Sequence, residues 1–210
     1  MSWTGTDLAA LFGAVEQAME AHRERLDRLD AVAGDGDHGA TMVMGWRTVT
    51  AAVGDGAGET PAGVLRTAAA AFASVGGSIG PLWGTALLRA ARAVDACEAL
   101  DAEDGVRAVK AAAAGVAERG RSAEGDKTLI DAIAPATREL SSRIEAGAEP
   151  RAALASAAAS AAEAAEATAQ LAPRRGRARR LADRSLGHVD PGAASAAVIW
   201  SVAADALGAR

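Results

Sequence analysis

Apolar residues recur three and four positions apart through most of the chain, the spacing of one face of an α-helix. In a first segment, about residues 4–29, Leu8, Leu11, Phe12, Val15, Met19, Leu26 and Leu29 keep that spacing. A glycine-rich acidic turn, Gly34-Asp35-Gly36-Asp37-His38-Gly39, interrupts it, and a second helix runs from there to about Val53. Gly54-Asp55-Gly56-Ala57-Gly58 reads as a loop. Thr60-Pro61 then offers a cap and a first-position proline for a third helix to about Val75. After a break at 76–81 a fourth helix reaches about Ala99, and a fifth covers 101–118. Asp126 is placed to cap a sixth, ending near Ala146, and Pro150 opens a seventh that runs to about Leu171. A long basic loop, 173–192, precedes an eighth helix over 193–207.

Composition supports the helical reading. Half the residues are apolar, only 3% are aromatic, there is no Tyr, and alanine dominates. Alanine is the best helix former and a poor strand residue. With no linker long enough to separate domains, the pattern predicts one all-α domain over 1–210, an antiparallel up-and-down barrel or bundle of eight helices. In that topology alternate loops share an end. The loops after helices one, three, five and seven carry most of the Gly, Asp, Ser and Arg, so a site is expected on that rim.

Charge narrows the classes. A net charge of -5 argues against a dedicated nucleic-acid binder. Cys97 is alone and cannot form an intrachain disulfide. The N-terminus lacks the basic flank and apolar core of a signal peptide, and no run of 18 strongly apolar residues occurs. The expectation is a cytoplasmic protein that does not span a membrane.

Asp30, Asp35 and Asp37 have the spacing D-x4-D-x-D, interleaved with Gly34, Gly36 and Gly39. Carboxylates so close repel one another unless a cation neutralises them, and hard oxygen ligands favour Mg2+. The helix N-terminus that follows, near His38 and Thr41, offers unpaired N–H groups to phosphate. Gly34-x-Gly36-x-x-Gly39 also matches a dinucleotide fingerprint, but no strand precedes it. A calcium loop counted from Asp35 would need Glu where Trp46 stands. A solvated acidic cap is the remaining bland reading.

Three further loops share the character of a phosphate site. One is Gly76-Gly77-Ser78-Ile79-Gly80-Pro81-Leu82-Trp83-Gly84-Thr85. The second, Gly120-Arg121-Ser122-Ala123-Glu124-Gly125-Asp126-Lys127-Thr128, is like a P-loop with one residue too many before the lysine and with helix in place of the strand. The third is the run Arg174-Arg175-Gly176-Arg177-Ala178-Arg179-Arg180 with Gly187-His188-Val189-Asp190-Pro191-Gly192 after it. Beside acidic loops, one or two of these arginines suit anion binding better than nucleic acid.

In this order, Leu29-Asp30-Ala31-Val32-Ala33-Gly34-Asp35-Gly36-Asp37-His38-Gly39, Gly77-x-x-Gly80-Pro81-Leu82-Trp83-Gly84-Thr85, Gly125-Asp126-Lys127-Thr128-Leu129-Ile130-Asp131 and Gly187-His188-Val189-Asp190-Pro191-Gly192-Ala193 resemble the nucleotide-binding L subunit of dihydroxyacetone kinase, over about residues 5–207. The resemblance implies an eight-helix antiparallel barrel that holds ADP or ATP at one end with two Mg2+ ions. Asp30, Asp35 and Asp37 would ligate the metals. His38, Gly39, Ala40, Thr41, Gly77, Ser78 and Ile79 would surround the phosphates. Gly120, Leu129 and Arg177 would surround adenine and ribose, and Asp190, Pro191 and Gly192 would close the site.

It also implies a phosphotransferase whose covalent substrate histidine lies on a separate K subunit, so no catalytic nucleophile is expected in this chain. In members driven by the phosphotransferase system an M subunit rephosphorylates the bound ADP; in others ATP is used directly. Ile79 departs from the pattern, standing where a small residue, often Ser, is expected; phosphate contacts there would rest on backbone N–H groups. Two other functions fit parts of the sequence. One is a nucleotide-bound regulator docking onto a transcription factor. The other is a lipid carrier using an alanine-lined interior.

Overall fold

Three of the long helices begin at a side chain that caps their first N–H groups, and proline is the first residue of three. Thr4 accepts from the Asp7 amide while the Asp7 carboxylate takes the Thr4 amide, a reciprocal box that starts α1, Gly5–Ala31. Asp101 and Asp104 repeat the device for α5, Ala102–Gly120. Thr60 caps α3, Pro61–Ala73, with proline at its first position, and Pro150 opens α7, Pro150–Ala167. The remaining elements are α2 (His38–Val53), α4 (Ile79–Ala93), α6 (Ile130–Glu145), the single turn α8 (Ala182–Ser185) and α9 (Pro191–Gly208). This computed structural model describes residues 2–175 and 182–208.

Every long helix packs on the next in sequence, and α9 packs on α1, which closes the ring. Among the described residues there is no strand, only an isolated bridge in which Trp3 and Leu100 exchange two 2.8 Å backbone hydrogen bonds. An aromatic cluster fills the middle of the barrel. Trp46 meets Phe12, Phe72 and Trp83 with ring centroids 5.5, 5.2 and 6.0 Å away. Elsewhere alanine allows close approach, as at Ala62, Ala68, Ala132, Ala136, Ala157 and Ala161, all fully buried. Below the aromatics an apolar cavity of about 220 Å³ runs toward Trp3, Leu100, Pro150 and Leu207. Trp46 and Trp83 line it, and their buried indole N–H groups have no hydrogen-bond partner.

The eight helices are where the periodicity predicts them; several ends are not. The fourth stops at Ala93 instead of about Ala99, because Leu100 must be extended to pair with Trp3 and bury its side chain. The sixth does not start at Asp126 but at Ile130: the Asp126 carboxylate accepts from the Ala123 amide and Arg175 instead. The seventh ends at Ala167 and tightens into a 3-10 turn over Thr168–Gln170. The predicted loop 173–192 contains α8, and the last helix begins two residues early, with Pro191 in its first turn. None of the helices among the described residues is long and apolar enough to cross a membrane.

Candidate phosphate and metal site

The up-and-down ring brings the starts of α2, α4, α6 and α9 to one end, and a cavity of about 790 Å³ opens there. Residues 29–44, 76–82, 119–129 and 175–192 contribute to its wall, so all four polar loops meet. Helix N-termini carry unpaired N–H groups and partial positive charge, and this end of the barrel has four of them.

Asp30, Asp35 and Asp37 each place an oxygen so that the three lie within 4.8 Å of one another. Asp30 sits in the last turn of α1, and its Oδ2 accepts from the amides of Gly36 (2.8 Å) and Asp37 (3.2 Å). These bonds fold the turn back over the carboxylate. Gly34 is required there, since a Cβ would lie 2.2 Å from Asp30 Oδ1. A set of three carboxylates at this separation fits a hard divalent cation such as Mg2+.

His38 opens α2 and lines the cavity. Burial pulls its imidazole below the usual pKa, against the opposing influence of Asp30 and Asp27. Its Nε2 lies 3.0 Å from Ser195 Oγ on α9. Thr41 also lines the cavity. Gly39 and Ala40 are not among the lining residues: Gly39 is buried against the Arg23 carbonyl, and the Ala40 amide donates to Asp27 Oδ1 at 3.0 Å. Gly77, Ser78 and Ile79 line the opposite wall. Gly77 has φ +77°, and Ser78 precedes α4 without a side-chain cap, so the first amides of α4 face the loop. Ile79 packs partly on the core and brings no polar side-chain atom to this wall.

Gly120 and the buried Leu129 line the third wall, and Asp190, Pro191 and Gly192 the fourth. Asp190 heads α9 and accepts from the Ala193 amide at 2.8 Å. Burial raises its carboxyl to about 7; the Ala193 amide and Lys127 pull down, and Asp131 pushes up. Arg177 lies outside the described residues.

The sequence reading gave several wall residues no role in the site or did not name them. Lys127 is buried, with its ammonium donating to the carbonyls of Leu171 (3.1 Å) and Ser185 (2.7 Å). Burial lowers its pKa, opposed by Asp190. Its φ of +61° is one of two positive values at non-glycine positions among the described residues. The loop around it is held by Asp131, which accepts from the Gly125 and Thr128 amides at 2.5 and 2.7 Å. Lys127 therefore braces the chain rather than reaching out like a P-loop lysine. Arg119, Arg175, Met44 and His188 also line the cavity. Arg175 and His188 fall in the basic run and the last motif that the sequence singles out. Nothing in the sequence marks Arg119 and Met44, since only the closed ring brings those stretches of α5 and α2 to the cavity.

Comparisons with known proteins converge on one family. The DAK2 domain model matches residues 32–205. A D-erythrulose kinase of Mycolicibacterium smegmatis is 39% identical over 205 residues, 95% of this chain and 35% of that protein. The chain thus spans about a third of the erythrulose kinases it matches. The ADP-binding subunit DhaL of the PEP-dependent dihydroxyacetone kinase of Escherichia coli is 34% identical over 196 residues, covering 93% of each. The crystal structure of the dihydroxyacetone kinase from C. freundii with AMP-PNP and Mg2+ superposes with a TM-score of 0.70 at 25% identity, over 94% of this chain and 33% of that one.

Proposed function

The chain belongs to the DAK2 domain family, and on that premise we propose that it is the nucleotide-binding part of a kinase for dihydroxyacetone or a related short ketose such as erythrulose. The observation that carries this reading is the three-carboxylate cluster at the wall of a cavity ringed by four helix N-termini. Carboxylates and N–H dipoles repel and attract the same anion. Only a ligand that is both cation and polyphosphate satisfies both, and a Mg2+ nucleotide is such a ligand.

In this reading Asp30, Asp35 and Asp37 hold Mg2+, two ions by family resemblance, and the metal would spread the negative charge of the moving phosphoryl group. The amides at the starts of α2 and α4 orient the phosphates beside His38, Thr41, Gly77, Ser78 and Ile79. Gly120, Leu129 and Arg177 receive the nucleoside, and Asp190 to Gly192 form the last wall. The acceptor sugar is held by a separate substrate-binding K subunit.

The test is Asp35→Asn. Calorimetry should show Mg2+-dependent ADP binding by the native chain. The variant should lose more than about a hundredfold in ketose phosphorylation when the substrate-binding subunit is supplied. Full activity in the variant would sink the metal assignment. Two donors fit the same site, and native mass spectrometry separates them. ADP that survives dialysis marks rephosphorylation in place by an M subunit; a freely exchanging site marks ATP.

A further inference from the structure

Ser195 is the one hydroxyl in the run Ala193-Ala194-Ser195-Ala196-Ala197 at the start of α9, and it is fully buried. It makes two hydrogen bonds. One, at 2.9 Å, reaches the Gly192 carbonyl, and the other, at 3.0 Å, reaches His38 Nε2. A carbonyl can only accept, so the single hydrogen of the hydroxyl is committed to Gly192. At the second contact the oxygen must then accept, and Nε2 must carry the proton. His38 stands beside the acidic turn and Gly192 belongs to the turn that opens α9, so this short chain of bonds ties two walls of the site together. The two helices are not neighbours in sequence, and α1 lies between them in the ring.

We propose that Ser195 is a positioning residue that locks His38 into the Nε2–H tautomer and one ring orientation, leaving Nδ1 as the nitrogen offered to the nucleotide site. The inference rests on the nucleotide-binding reading for its consequence, but its chemistry does not. With the proton fixed on Nε2, a neutral His38 presents a lone pair rather than a donor to the cavity. Direct donation to phosphate at this wall then comes from the backbone N–H groups of α2, and the imidazole accepts from a hydroxyl or a water on the bound ligand.

Nitrogen-15 NMR of selectively labelled histidine in the nucleotide-free protein reads the tautomer directly. The native chain should show His38 protonated at Nε2. Ser195→Ala should release the ring into a mixture of tautomers and weaken Mg2+–ADP binding about tenfold, the scale of one neutral hydrogen bond. Ser195→Thr, which keeps the hydroxyl, should restore both. A native His38 protonated at Nδ1, an unchanged tautomer in Ser195→Ala, or unaltered ADP affinity in that variant would each overturn the proposal. The native spectrum decides even where a variant fails to fold. A chain with the Nε2–H tautomer that binds no nucleotide would instead overturn the functional reading.

Discussion

A methyl group at Gly34 would have to occupy the space of Asp30 Oδ1, 2.2 Å from the ideal Cβ position. The carboxylate is the nearest and most flexible neighbour, so it moves first, and the Asp30 carbonyl oxygen, 2.9 Å from the same position, must give as well. Gly34→Ala is therefore expected to unseat Asp30 from the amides of Gly36 and Asp37 and to remove Mg2+-dependent ADP binding, while the chain still melts cooperatively as a folded protein. Calorimetry beside a thermal melt checks it, and undiminished binding would refute the role of the turn. Asp190 carries a second residue-scale prediction. Its carboxyl is raised to about 7 from an ordinary value near 3.8, so between those values the folded chain keeps a proton that the unfolded chain releases. Stability from this group must fall as pH rises through that window and level off above it, by a few kcal/mol at most. Urea titrations of the nucleotide-free protein from pH 4 to 8 should show this slope, and Asp190→Asn should flatten it. Identical slopes in the two proteins would contradict the assignment.

At the scale of elements, the helices were legible because alanine propensity, periodic apolar residues and the caps at Thr4, Thr60, Asp101 and Pro150 agree on the same starts. Where an end departed from the pattern, a long-range contact had overridden it. Leu100 leaves a helix-favouring stretch to pair with Trp3, and Asp126 gives up a cap for Arg175, 49 residues away. Local sequence cannot see partners at that distance. The three aspartates were readable because they fall within eight consecutive residues. The roles of Lys127 and Ser195 were not, since Lys127 bonds the carbonyls of Leu171 and Ser185 and Ser195 meets His38 on α2, all distant in sequence. Lys127 shows what such a contact does. Its ammonium fixes the carbonyls of Leu171 and Ser185, on either side of the long basic segment. Lys127→Met preserves most of the stem and strands both carbonyls, which should cost about 2–3 kcal/mol in urea unfolding. A loss below about 0.5 kcal/mol would mean that water reaches those carbonyls.

For the whole molecule, the ring separates two jobs along its axis. The starts of α2, α4, α6 and α9 define the polar end. The opposite end is closed by Trp3, whose indole N–H donates to the Leu207 carbonyl at 3.2 Å while its backbone pairs with Leu100. That one residue joins the chain's beginning to the α4–α5 connection and to the end of α9, and it lines the apolar cavity. Trp3→Ala would enlarge that cavity and cut the tie to α9, so a loss of about 3–5 kcal/mol is expected. Trp3 is not among the residues that line the polar cavity. The walls of that cavity are held by their own bonds, from Asp30, Asp131, Lys127 and Ser195. ADP affinity below the melting temperature should therefore stay within about twofold of native, since distant sites without shared partners behave independently. Trp3→Phe keeps most of the packing and loses only the N–H bond, so it should sit about 1 kcal/mol below native and serve where the alanine variant does not fold. A tenfold weakening of ADP binding in either folded variant would show that the closure of the far end sets the geometry of the near one, and the barrel would have to be treated as a single mechanical unit.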